Sequence, residues 1–245
     1  MKKLHSLLLG FIVLLIIPFQ TAAQFNYLPT QHPGEQLIQH KYYSLSYHEA
    51  WEQPSWVAYE LTPKTLQGTT KRTNNFRIDP AVKTGSATLS DYRKSGFDRG
   101  HLLPAGSMKC TTQAMSQTFF MSNMSPQRPY FNRGIWKKLE SKVRSWTRIH
   151  KKLYVVSGPI ILANHKTIGP NNVAIPQQYY KVILDLAKRQ AIAFILPNKK
   201  SNLPLSHFVV SIDQVEKQTG IDFFPQLPNQ LEKKLESKTQ TTPWF

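Results

Sequence analysis

A single cysteine, Cys110, stands in a chain of 245 residues. It can form no intramolecular disulfide and supply no multi-cysteine zinc or iron–sulfur site. The fold must therefore rest on burial, or on a bound metal. A chain of this length can bury about 70% of its unfolded surface around one core, so a substantial domain needs no covalent staple. Hydrophobic residues at 40% and aromatics at 11% supply that core and argue against disorder.

Charge narrows the partner. Lys and Arg number 31 against 14 Asp and Glu, a net +17, which suits a polyanion such as nucleic acid, an acidic polysaccharide or an anionic membrane surface. Residues 1–23 read as an export signal: Lys2 and Lys3, an apolar run from Leu7 to Ile17, then Pro18 and the small residues Thr21-Ala22-Ala23. The run is 11 residues, short of the roughly 20 that span a bilayer. The expectation is a cleaved leader with no membrane anchor left behind, and a periplasmic or secreted product. Cleavage removes two lysines and no acid, lowering the charge from +17 to +15, so the basic character belongs to the exported domain.

Residues 24–40 read as an extended entry segment, 41–235 as one domain and 236–245 as a frayed polar tail. Strands are expected at Tyr42–Tyr47, Val57–Leu61, Thr118–Ser122, Leu153–Ser157, Tyr179–Leu186 and Ala191–Leu196, from alternation or β-rich content. Lys188-Arg189-Gln190 separates the last two as an antiparallel hairpin. Ser211–Thr219 reads as a capped helix closed by Gly220. Ile135, Leu139, Val143 and Trp146 mark a stronger amphipathic helix, with Gly134 at its entry. Helices do not alternate regularly with strands, so the class is α+β, with a mainly antiparallel central sheet flanked by helices.

The opposite face of that amphipathic helix is cationic. Between Arg128 and Lys152 lie nine Lys/Arg and one acid, Glu140. Upstream, Asp98-Arg99-Gly100-His101 sets an imidazole beside a cation on a tight turn. Phosphodiester hydrolysis needs a base to activate water, a cation to screen phosphoryl oxygens, and stabilisation of the leaving alkoxide. Histidine, arginine and a hard divalent ion on oxygen ligands can supply these.

Three runs together carry a resemblance: Asp98-Arg99-Gly100-His101, Asn123-Met124-Ser125-Pro126-Gln127, and Asn132-Arg133-Gly134-Ile135-Trp136-Lys137-Lys138-Leu139-Glu140. In order and spacing they closely resemble the DNA/RNA non-specific endonucleases, with further matches at Tyr154–Pro159 and Ile175–Val182. The resemblance spans roughly Trp56 to Phe224 and implies a ββα-metal nuclease core. It implies His101 as general base, Asn132 as direct ligand of a catalytic Mg²⁺, and Glu140 as the carboxylate holding the ion's waters. Arg99 and Arg144 match phosphate-contacting arginines, and Asn123 an asparagine supporting the metal loop. Arg72 is the choice for a further upstream arginine, with Arg77 its competitor. Asp98 is read as orienting the loop rather than binding metal. Gly106 stands where the family usually has alanine.

Spacing agrees with these roles. Asn132 and Glu140 are eight residues apart, about 12 Å along a continuous helix. Asn132 must then sit on a loop before the helix if both serve one ion. Glu140 would act through water, in keeping with a Mg²⁺ that retains much of its hydration. Mn²⁺ favours similar oxygen-rich octahedral sites. Lys109, Lys137, Lys138 and Lys142 read as solvated surface that could extend a groove tracking the nucleic-acid backbone. His150, His165 and His207 show no partner spacing, and oligomeric state is not legible.

The resulting expectation is an exported, Mg²⁺-dependent endonuclease that hydrolyses DNA and RNA with little sequence preference and leaves 5′-phosphate ends. A non-catalytic basic module for DNA or glycans, and a metal-independent ribonuclease, are the readings it competes with.

Overall fold

The computed structural model describes residues 26–242, 244 and 245; the leader expected at 1–23 lies outside them. Strands β1 (Gln36–Gln39), β2 (Ser44–His48) and β3 (Gln53–Leu61) form a meander, followed by short helices α1 (Pro63–Leu66) and α2 (Leu89–Tyr92). Strand β4 (Asp98–His101), helix α3 (Thr112–Gln117), strand β5 (Met124–Gln127) and helix α4 (Lys137–His150) come next. Then follow β6 (Leu153–Ile160), the short pair β7 (Thr167–Ile168) and β8 (Val173–Ala174), the hairpin β9 (Gln178–Asp185) and β10 (Gln190–Pro197), and β11 (Val209–Val210). Helices α5 (Ile212–Thr219) and α6 (Asn229–Glu236) close the chain.

Seven strands make one sheet in the order β1-β2-β3-β6-β9-β10-β11, every neighbouring pair antiparallel. Successive side chains in a strand point to opposite faces, and both faces here are covered. Val57, Tyr59, Leu61, Val155, Ile183 and Phe194 pack on one side with Leu139, Val143 and Trp146 of α4. Trp56, Ala58, Val156, Val182 and Leu184 pack on the other with Ile212 and Val215 of α5 and Leu235 of α6. Double burial turns the inner strands into near-continuous apolar runs. This is the expected α+β architecture.

Gly158 lies where β3, β6 and β9 crowd. A Cβ there would meet the Ser55 carbonyl oxygen at 2.2 Å and the Tyr180 hydroxyl at 2.4 Å. Gly158→Ala is expected to cost roughly 1–3 kcal/mol, the usual penalty of overpacking a core. A denaturant midpoint unchanged from wild type would contradict this packing.

Three expectations need correction. Thr118–Ser122 is not a strand: Thr118 caps α3, and Met121–Asn123 forms a 3-10 turn. Phe120 keeps only an isolated bridge to Arg77. Within the entry segment, β1 pairs with β2 from Gln36↔Tyr47 to Gln39↔Ser44. The tail is not frayed at Trp244, which is 3% exposed. Its carbonyl accepts the Trp146 indole N–H at 2.6 Å, and its ring stacks on His150. The major helix also starts and ends later than its apolar spacing suggested, running from Lys137 to His150.

Candidate active site

Asp98–His101 is not the tight turn its glycine suggested but strand β4, paired antiparallel with β5 beside the entry of α4. Its register pairs Asp98 with Gln127 and His101 with Met124. A Cβ on Gly100 would lie 2.2 Å from the Gln127 side chain, so this pairing closes only around glycine. After β5 the chain takes a wide turn through Phe131–Trp136, interrupted at Gly134, before α4 begins. Asn132 therefore stands ahead of the regular helix and Glu140 in its first turn.

His101, at the end of β4, is 8% exposed. Phe76 and Phe119 meet its ring edge-on, with centroids at 5.7 and 5.0 Å. The Trp136 indole donates to the His101 carbonyl at 3.2 Å, fixing the backbone. The ring hydrogen-bonds the Arg99 backbone, while Nε2 is buried with no hydrogen-bond partner. Burial, then the charges of Arg72 and Arg99, push the imidazole down to about 3. It is neutral at physiological pH.

Asp98 orients its neighbours. Its Oδ2 accepts the Asn132 Nδ2 amide at 2.9 Å, and Arg133 grips both carboxylate oxygens, at 2.9 and 2.7 Å. With Nδ2 so engaged, the Oδ1 of Asn132 is the atom turned to other work. Asn123 is wholly buried; it accepts from the Leu103 amide at 2.8 Å and donates to the Leu103 and Thr118 carbonyls at 3.0 and 2.8 Å. It pins the backbone just beyond His101.

Glu140 sits in a cationic surround. Burial raises its carboxyl, while Lys181, Arg144, Arg72 and Lys137 pull it back down. Lys181 is the residue whose importance the sequence does not disclose. It is a lysine at 0% exposure in a central strand, donating to the Tyr59 hydroxyl at 3.3 Å and to Ser157 Oγ. Its ammonium lies 4.5 Å from the Trp136 ring centroid. Burial pushes Lys181 down, and Glu140 holds it up. A lysine among apolar strand residues was the available signal.

The arginines separate by surroundings. Arg72 stacks over Phe119 at 4.8 Å, and its charge is felt at both His101 and Glu140. Arg77 instead donates to the Asn75 and Ser116 carbonyls at 3.1 and 3.0 Å and covers Phe120. Arg99 is exposed over Phe76 at 4.1 Å. Arg144 donates to Ser141 at 2.8 Å, and its guanidinium passes Gly106, where a Cβ would make an ordinary 3.6 Å contact. Alanine would fit at Gly106. Arg72, Lys71, Lys109 and Gly106 line a cleft of about 350 Å³, so Lys109 joins this basic wall. Lys142 turns instead to the Trp146 and Phe245 rings. His150 pairs with buried Asp185 at 2.7 Å, far from this chemistry in role.

Arg72→Ala is expected to slow cleavage about tenfold, the scale of one lost charged hydrogen bond, and to reduce the salt dependence of DNA binding by about one unit of slope. Arg77→Ala should leave both unchanged. The reverse pattern in salt titrations would reassign the upstream arginine.

Among the described residues, no group of three or more imidazole, thiol or carboxylate ligands that could hold an ion includes Glu140. An amide oxygen and one carboxylate make a sparse, hard donor set, suited to a divalent ion that keeps most of its water.

A family model described as DNA/RNA non-specific endonuclease matches residues 21–230. The chain is 36% identical over 213 residues to mitochondrial endonuclease G of Bos taurus, covering 80% of this chain and 71% of that protein. It is 39% identical over 209 residues to nuclease C1 of Cunninghamella echinulata var. echinulata, covering 78% and 83%. Among solved structures, a chain of the EndoG/EndoGI complex, described as showing the mechanism of EndoG inhibition, matches with a TM-score of 0.74 at 31% identity. That match covers 80% of this chain and 88% of the other.

Proposed function

Because the chain belongs to the DNA/RNA non-specific endonuclease family, we propose that it is an exported, Mg²⁺-dependent endonuclease of DNA and RNA with His101 as general base. The observation that carries the assignment of the base is the unpartnered, buried Nε2 of a neutral imidazole, set in one cluster with Asn132, Glu140 and three arginines. That nitrogen has a free lone pair with which to take a proton from water attacking phosphorus. The P–O3′ bond breaks and the departing 3′-oxygen takes a proton from solvent, leaving a 3′-hydroxyl on one fragment and a 5′-phosphate on the other.

An imidazole so depressed is a weak base at rest. Arg72 and Arg99 contribute to that depression, and a phosphodiester seated between them would offset their charges and raise its basicity where the water must be activated. Arg72, Arg99 and Arg144 screen the non-bridging oxygens as charge develops there. Asn132 through Oδ1, and Glu140 through water, would hold the divalent ion; when bound, it supplies charge neutralisation at the phosphoryl and leaving oxygens. Contacts of this kind address phosphate and sugar, which carry no direct sequence information, so cleavage should be indifferent to sequence.

Export rests on the leader: Lys2 and Lys3, the Leu7–Ile17 run and Thr21-Ala22-Ala23. Several relatives are named as mitochondrial, so the compartment needs its own test. N-terminal sequencing of the product recovered outside the cytoplasm should begin at Gln24; an intact Met1 in the cytosolic fraction would refute export.

The catalytic reading is tested by digesting DNA and RNA of matched sequence and analysing the ends. Both should be cut with divalent metal, at many positions, giving 5′-phosphates that a ligase rejoins without kinase treatment. RNA cleavage alone, with cyclic phosphate ends and no metal requirement, would instead establish the histidine-and-2′-hydroxyl ribonuclease.

A further inference from the structure

The chain has only 14 acidic residues, yet five of them converge beneath the sheet face opposite α4. Asp213 and Glu216 come from α5, Asp222 from the turn that follows, and Glu232 and Glu236 from α6. One carboxylate oxygen each from Asp213, Glu216 and Glu236 lie within 4.8 Å of one another, and the same holds for Asp222, Glu232 and Glu236. Glu236 is shared by both groups. Among the described residues none of the five forms an ion pair with Lys or Arg, in a protein where cations outnumber acids more than two to one.

Crowded acids alone are not a ligand site. Glu236 provides the independent sign. It is 6% exposed, the side chain at the centre of the cluster, and its Oε1 is buried with no hydrogen-bond partner. An unsatisfied buried carboxylate oxygen is costly unless a proton or a cation meets it. Glu216 is held in place, its Oε1 accepting the Phe223 amide at 3.0 Å, so the cluster is partly preorganised.

We propose that Glu236, with Asp213 and Glu216 on one side and Asp222 and Glu232 on the other, forms a structural Ca²⁺ site that fastens α6 to α5 and to the intervening turn. Calcium accepts six to eight oxygens in irregular geometry, whereas Mg²⁺ demands a tight octahedron and gives up water reluctantly. Carboxylates drawn from two helices and a turn match the former. The site is distinct from the catalytic cluster, which lies on the α4 side of the sheet, so its role is stability rather than turnover.

The test is the melting temperature of the full mature chain at pH 7.5, after chelation and then with excess CaCl₂. Wild type and Asn132→Ala should both gain about 5 °C, the shift that saturating one specific site gives a domain of this size. Glu236→Gln should gain less than about 1 °C, and so should the more exposed Asp213→Asn with Glu232→Gln, which guards against a misfolded Glu236 variant. No gain in wild type would overturn the proposal. So would a gain that survives in Glu236→Gln, or one that vanishes in Asn132→Ala and thereby places the ion at the catalytic cluster.

Discussion

His101→Ala is expected to lower turnover on DNA by about 10²- to 10⁴-fold, the contribution of a positioned general base, while the dissociation constant for DNA stays within about twofold. The two parts of this expectation have different origins. Nε2 makes no hydrogen bond within the protein, so truncation breaks no structural contact through that atom. The carbonyl that Trp136 holds belongs to the backbone and survives. Affinity comes mainly from neutralised phosphates, and alanine leaves Arg72, Arg99 and Arg144 in place. Equal losses of binding and turnover in filter-binding and single-turnover assays would show that His101 shapes the site instead of acting as its base.

Lys181→Met carries the second large effect, a loss of between about 10- and 100-fold in activity at neutral pH and limiting Mg²⁺, typical of a group that supports a metal-site ligand from behind. Methionine keeps the length and apolar stem of lysine, so the core stays filled. What disappears is the foremost of the cations that lower the Glu140 carboxyl. The sign follows: with Lys181 gone Glu140 rises further, more of it is protonated at pH 7, and the acid limb of kcat/KM moves to higher pH. His101 is already neutral there, so this limb belongs to Glu140. If Glu140 holds the ion in the way proposed, metal and proton compete for that carboxylate, and added Mg²⁺ should draw the limb back down. A variant that loses activity equally at every pH and Mg²⁺ concentration would make Lys181 only a packing residue.

Much of this molecule was legible because local pattern and tertiary outcome agree. The β9–β10 hairpin, the Ser211-capped helix with Gly220 in left-handed conformation at its end, and the apolar stripe of α4 are all written in short-range terms. Motif order offered His101, Asn132 and Glu140 as candidates, and the break at Gly134 was legible from one poor helix former. Other features depend on partners distant in the chain. Thr118–Ser122 has strand-like composition, but its backbone closes turns while Asn123 ties the segment to Leu103. His150 finds Asp185 only because α4 crosses β9, and Trp244 is recruited by Trp146 across 98 positions. Lys181 reads as one charge in an apolar strand; only the three-dimensional packing puts it against Trp136 and behind Glu140.

Incubation of closed circular plasmid with residues 24–245 of the chain, with Mg²⁺ or with excess chelator, tests the central claim most directly. Nicked and then linear DNA that accumulates only with the ion is the result the site geometry and family membership predict. Retarded but uncut plasmid under every divalent metal would contradict it, and would leave a basic protein that holds nucleic acid without hydrolysing it.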